Sequence, residues 1–421
     1  MKILFLSPEV SPWSKTGGLA DVAGALPRAL AALGHELLVV TPLHRAIDRS
    51  TLRALGKSAT VELGAERLTL ELFEAGGTGQ GHRVIFLGHA LFDRPEVYGD
   101  YADNFFRFAA YCEAALAVPK VLGFVPQIVH GNDWACGPAI WRAHERAIGK
   151  QVFTIHNLAY QGLFNASSLG ALGWPSSLFH PEALEFYGQL SYMKAGLVFA
   201  DALTTVSPTY AREIRTPALG CGLEGLLEKR RGELSGILNG IDDVVWNPRT
   251  DQFLPHRYGT GHMSGKAACK LALQRELGLP VAPKVPLFTM VSRFAEQKGF
   301  ELLLGVLDDQ LFGRAQVAIL GNGDSLIEKR LLAIDRPQSF AVRAAFDDGL
   351  AHRLGAAGDF FLIPSRFEPY TVAALRAAID RAIVAFERNQ LGPAQAVGMG
   401  KDFSWGRAAA EYAQLYERLV K

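Results

Sequence analysis

The stretch KILFLSPEVSPWSKTGGLADVAGALPRALAALGHELLVVTP, residues 2–42, decides the fold. It opens with a short apolar run, passes through a glycine-containing turn into an alanine-rich segment of helical spacing, and ends in a second apolar run, ELLVVTP. Strand, helix and strand in that order make one crossover unit of a parallel sheet. Similar runs follow in RVIFLG, QIVH, QVFTIHN and ALTTVS, so the expectation is a doubly wound α/β domain. Most of these runs end in Ser, His, Asn or Thr, at the carboxyl edge where such sheets bind ligands.

The pattern breaks in SGILNGIDDVVWNPRTDQFLPHRYGTGHMSG, whose Asn-Gly, Asn-Pro and Leu-Pro steps are turn signals. A second α/β series then runs through PLFTMVS, QVAILGNGD, SFAVRAAF and DFFLIPS. The expected organisation is a Rossmann-like domain over 1–245, a second one over 246–405, and a C-terminal helix over 406–421 that packs back toward the first, with a cleft between the two halves. After DFFLIPS no further convincing strand run is present, which leaves the second domain about four strands where five or six are common.

Of the 421 residues, 49% are hydrophobic and 20% charged, with a net charge of +1. That balance fits a folded chain of two domains and supplies no basic surface for nucleic acid. Cys112, Cys136, Cys221 and Cys269 form no C-x-x-C pair, which argues against a zinc site or a disulfide framework and for a reducing cytoplasm. The opening apolar run is too short for a signal peptide, and no run approaches the roughly 18 residues of a membrane span. No membrane partner is expected.

Lys15 lies in the loop after the first strand, and Gly17 and Gly18 let the backbone approach a ligand where a helix start favours an anion. The same pattern also makes an ordinary connection between strand and helix. In VSRFAEQKGF, Arg293 and Lys298 bracket one turn after the first strand of the second half, where two cations suit a phosphate or are simply solvated beside Glu296. His156, in FTIHN, and Asp133, in HGNDW, end neighbouring strand runs, and Glu368, in SRFEPY, stands at the end of a second-half strand. Each of these is also compatible with a packed or turn residue.

Taken in order, KTGGLADV, FDRPEVYGDYADN, FTIHNLAYQGLF, GCGLEGLL, GILNGIDDVVWNP, GKAACKLALQRELGL, SRFAEQKG, AHRLGAAGDFFLIPSRFEP and DFSWGRAAAEY resemble the bacterial glycogen synthases of the ADP-glucose-using type, a family shared with plant starch synthases. The resemblance is collinear over nearly the whole chain. It implies the GT-B architecture and transfer of glucose from ADP-glucose to the non-reducing end of an α-1,4-glucan such as glycogen, with retention of configuration. It implies no cofactor and no metal at the chemical step.

By the same resemblance, Lys15 and the amides around Gly17 and Gly18 meet the donor's diphosphate region. Arg293 and Lys298 stabilise the departing diphosphate, and His156 sits beside the sugar with its backbone carbonyl toward the anomeric carbon. Glu368 binds the donor glucose, Asn239 contacts the donor, Asp21 and Asp133 line the cleft, and Phe346 lies near the nucleotide base. The chain departs from the family after SRFEP, where a loop, a helix, a strand and a second glycine loop are expected and several dozen residues are absent. It also has Asn132 where the family commonly has histidine. A catalytically impaired glucan- or nucleotide-binding remnant is the competing expectation.

Overall fold

Alternation within KILFL sends Ile3 and Phe5 to one face of a strand and Leu4 and Leu6 to the other, and all four are fully buried. A strand covered on both faces belongs in the middle of a layered α/β sheet. The computed structural model describes residues 1–76, 81–365 and 371–421. The chain divides into two compact units, residues 1–241 with 403–421, and residues 242–402.

The N-terminal unit contains β1 (Lys2–Leu6), β2 (Glu36–Pro42), β3 (Leu52–Leu63), β4 (Glu66–Ala75), β5 (His82–Gly88), β6 (Ile128–Asn132) and β7 (Lys150–Ile155). A small antiparallel sheet of β8 (Leu163–Asn165), β9 (Glu185–Phe186) and β10 (Gln189–Ser191) follows, then β11 (Ala202–Thr205) and β12 (Leu234–Gly236). The main sheet runs β12-β11-β7-β6-β1-β2-β5-β4-β3 and is parallel from β12 to β5. Strand order reverses direction between β1 and β6, and the crevice at that switch point is where doubly wound sheets bind ligands.

The antiparallel β3–β4 hairpin at the edge was not part of the sequence expectation. Its β4 buries Leu68, Leu70 and Leu72 while Arg67, Thr69 and Glu71 face solvent, the two-residue period of a half-covered strand.

The last helix, Trp405–Val420, belongs to the N-terminal unit and packs on the helix Gly18–Ala32. Its buried Trp405, Ala408, Ala409, Tyr412 and Tyr416 recur at helical spacing and join the core on the Ile3 and Phe5 face. A buried polar chain pins it there: His130 Nδ1 lies 2.7 Å from the Tyr416 hydroxyl, and His130 Nε2 lies 2.6 Å from Thr154 Oγ1.

In the second unit, β13 (Leu287–Val291), β14 (Gln316–Gly321), β15 (Phe340–Ala344) and β16 (Phe360–Phe361) form a parallel sheet ordered β15-β14-β13-β16. This is the doubly wound order 3-2-1-4-5-6 halted after its fourth position among the described residues. Helices Ser264–Leu277 and Asp348–Ala357 cover one face, and Ser325–Leu332 and Val372–Glu387 the other. Where β16 begins, the buried Lys270 ammonium donates to Asp359 Oδ2 (2.6 Å) and to the Val285 carbonyl (2.6 Å). Beyond it the unit is loosely covered: Phe361 is 46% and Ile363 74% exposed, and helix Leu391–Met399 buries no residue. Among the described residues no helix is long and apolar enough to cross a membrane.

Candidate active site

At the switch point of the N-terminal unit, the chain leaves β6 through Asp133, whose backbone has φ 56° and ψ 178°. A non-glycine residue at positive φ is strained, and here the side chain compensates. Asp133 Oδ1 accepts from the amides of His156 (2.7 Å) and Asn157 (3.3 Å), just past β7. Burial nevertheless pushes the Asp133 pKa up to about 7, with those two amides acting in the opposite sense. The adjoining His156 is held neutral, its pKa pushed down to about 3 by burial. Its Nε2 lies 2.9 Å from Asn132 Oδ1, and Asn132 Nδ2 donates to the Leu6 carbonyl at 2.8 Å. Asp133, His156 and Asn132 therefore form one connected group across β1, β6 and β7.

Lys15 and Asp21 also meet, Nζ to Oδ1 at 2.8 Å, with both side chains substantially exposed. The loop between β1 and the helix Gly18–Ala32 differs from expectation in one respect. The amides of Thr16 and Gly17 do not stand open for a phosphate: both donate to Oε2 of Glu9, the Gly17 bond at 3.4 Å. Glu9 is buried, and its other oxygen accepts from the Tyr98 hydroxyl at 3.2 Å. Burial raises its pKa, while the amides of Thr16 and Gly17 and the Tyr98 hydroxyl oppose that rise. Neither Gly17 nor Gly18 has positive φ, and a Cβ on either would meet no atom within 4 Å. The chain itself does not require glycine there, and the space in front of both is open. Asn239 is exposed in the segment after β12, two residues before Ile241, whose amide donates to the Phe403 carbonyl at 2.7 Å.

In the second unit, Arg293 and Lys298 follow β13, at the switch point between β13 and β16. Neither makes an ion pair among the described residues, and the Lys298 pKa is lowered first by burial and then by the Arg293 charge. Two neighbouring cations without an ion-pair partner among the described residues form a place where an anion gains from both. Their turn is fixed by Gly299, at φ 73°, where a Cβ would fall 1.8 Å from the Pro364 carbonyl oxygen. The segment following β16 can lie this close only because residue 299 has no side chain. Glu368, further along that segment, lies outside the described residues. Phe346 is 75% exposed between β15 and the helix Asp348–Ala357.

Sequence reasoning passed over Glu9, Tyr98 and Asn132 as functional residues. Glu9 and Asn132 lie at or just beyond the carboxyl ends of β1 and β6, so their positions along the strands were the available signal.

The Starch synthase catalytic domain family matches residues 2–229. Glycogen synthase from Anaeromyxobacter sp. (strain Fw109-5) is 45% identical over 478 positions, covering 100% of both chains, and glycogen synthase from Myxococcus xanthus is 42% identical with the same coverage. The first alignment spans 478 positions against the 421 residues here, so 57 positions have no residue in this chain, and end-to-end coverage places them internally. The catalytic domain of starch synthase IV from Arabidopsis thaliana, bound to ADP and acarbose, superposes with a TM-score of 0.92 at 27% identity, covering 100% of this chain and 99% of that one. The fold class is accordingly the α/β GT-B class expected from the sequence. With a family match over more than half its length and relatives above 40% identity from end to end, the chain belongs to the glycogen and starch synthase family.

Proposed function

We propose that this protein transfers glucose from ADP-glucose to the non-reducing end of an α-1,4-glucan, with retention, as in glycogen synthesis. The observation that supports the site assignment is the pair of cations, Arg293 and Lys298, without an ion-pair partner among the described residues, at the switch point of the second unit's sheet. A nucleotide diphosphate departing from a sugar accumulates negative charge on its oxygens, and preorganised cations lower the cost of that charge most as the bond breaks. In the first unit Lys15 is available to a phosphate, its exposed partner Asp21 being exchangeable for a phosphate oxygen. The open space before Gly17 and Gly18 admits the donor, Glu9 holds the loop's path, and the Gly17 amide is not itself a phosphate ligand in this arrangement.

The Asp133 and His156 group receives the sugar, with the His156 backbone carbonyl toward the anomeric carbon as positive charge develops there. The acceptor's 4-hydroxyl attacks from the face the diphosphate leaves. Glu368 and Asn239 contact the donor glucose, and Phe346 lies against the base. Incorporation of labelled glucose from ADP-glucose into glycogen tests this reading, and absence of incorporation with ADP still bound would favour the second one. That second reading, a catalytically impaired glucan- or nucleotide-binding remnant, is supported by the four-strand order of the second unit among the described residues and by the 57 alignment positions without a residue.

A further inference from the structure

We propose that Asn132 is a positioning residue that decides which nitrogen of His156 carries the proton, so that His156 presents the bound sugar with a hydrogen-bond acceptor at Nδ1. This rests on the glucosyl-transfer reading and names the group that His156 recognises. The carbonyl oxygen of Leu6 can only accept, and the Asn132 side chain reaches it at 2.8 Å, so the amide nitrogen of Asn132 faces Leu6. Its oxygen then faces the opposite way, 2.9 Å from His156 Nε2. An amide oxygen also only accepts, so Nε2 carries the hydrogen.

A ring whose pKa is pushed down to about 3 holds a single proton at ordinary pH, and that proton is committed to Asn132. Nδ1 keeps its lone pair and has no partner among the described residues. Such a nitrogen accepts from a sugar hydroxyl and is unfavourable next to a phosphate oxygen, which also only accepts. The arrangement is rigid: Asn132 is fully buried, and β6 and β7 pair it in register with Thr154, two residues before His156.

Two-bond proton–nitrogen spectra of protein labelled at its histidine rings read the tautomer directly, with His156 assigned by its loss in His156→Asn. The parent should show a protonated Nε2 and a bare Nδ1. Asn132→Ala should give a mixture of tautomers and a kcat about tenfold lower with ADP-glucose, while affinity for ADP, which carries no donor glucose, stays unchanged by calorimetry. Asn132→Asp, protonated in its buried place on the oxygen that faces the Leu6 carbonyl, keeps an acceptor beside Nε2 and should restore the single tautomer. A protonated Nδ1 in the parent, an unchanged tautomer in Asn132→Ala, or an equal loss of ADP affinity would overturn the proposal. Spectra and ADP binding need no turnover, so an inactive parent with the expected tautomer breaks the glucosyl-transfer reading and leaves the role of Asn132 standing.

Discussion

The carboxyl edges of the two sheets are built to opposite electrostatic rules. In the N-terminal unit the charged groups already have protein partners: Lys15 has Asp21, Glu9 has two amides and Tyr98, and Asp133 has the amides of His156 and Asn157. In the second unit Arg293 and Lys298 repel one another with no ion-pair partner among the described residues. A partnered edge fixes geometry, because every group has a reason to stay where it is. An unpartnered edge stores affinity for a charge yet to arrive.

The sharpest way to break this comparison is to remove the unpartnered cations. Arg293→Ala and Lys298→Ala should each lower kcat/KM for ADP-glucose by on the order of 2 to 4 kcal/mol of transition-state stabilisation. Unchanged steady-state values in both would end the assignment of that edge to the diphosphate. Next in size is the cost of the short second sheet. Glucose transfer should run about 100-fold slower than in a full-length relative if the donor is held but poorly oriented. Hydrogen exchange should show residues 286–400 opening more readily than residues 1–240. Equal protection in both, with ordinary turnover, would show that the helix Val372–Glu387 completes the unit by itself.

Asp133 offers a more modest test of the partnered edge. Its folded pKa, about 7, lies above the ordinary carboxylate value of 3.8, so between those limits the folded state holds a proton that the unfolded state has released. Its contribution to stability is therefore present at acid pH and lost as pH rises toward about 7. Asp133→Asn keeps an acceptor for the two amides and removes the titration. Its melting temperature, relative to the parent, should climb with pH across that window and level off above it, and a constant difference would show that Asp133 is not buried as described. The smallest effect belongs to Asp21→Ala, which breaks only an exposed pair and should change stability by about 0.5 kcal/mol or less in denaturant titration.

The parallel core was legible because buried strands write themselves as short apolar runs, and KILFLS, ELLVVTP and QVFTIHN all fall in the sheet. The β3–β4 hairpin was less so: its alternating residues carry a weaker signal than a continuous run. At the site, the strand-end positions of His156, Asp133 and Arg293 followed from where the runs stop. The grip of Glu9 on the Thr16 and Gly17 amides did not, because it depends on how the eleven-residue loop from 7 to 17 folds back on its own origin. The pairing of Asn132 with His156 was invisible for a related reason: it joins two strands that are adjacent in space and 24 residues apart in sequence.

The return of the last helix to the N-terminal unit has a consequence for biosynthesis. Residues 242–402 separate Ile241 from Phe403, and a ribosome adding about 5–20 residues per second needs roughly 8–30 s to cross them. Throughout that interval the nascent first unit lacks Trp405, Tyr412 and Tyr416, and the Ile3 and Phe5 face of its sheet is left without the helix that seals it. The half that was made earlier thus waits for the end of the chain to finish its core.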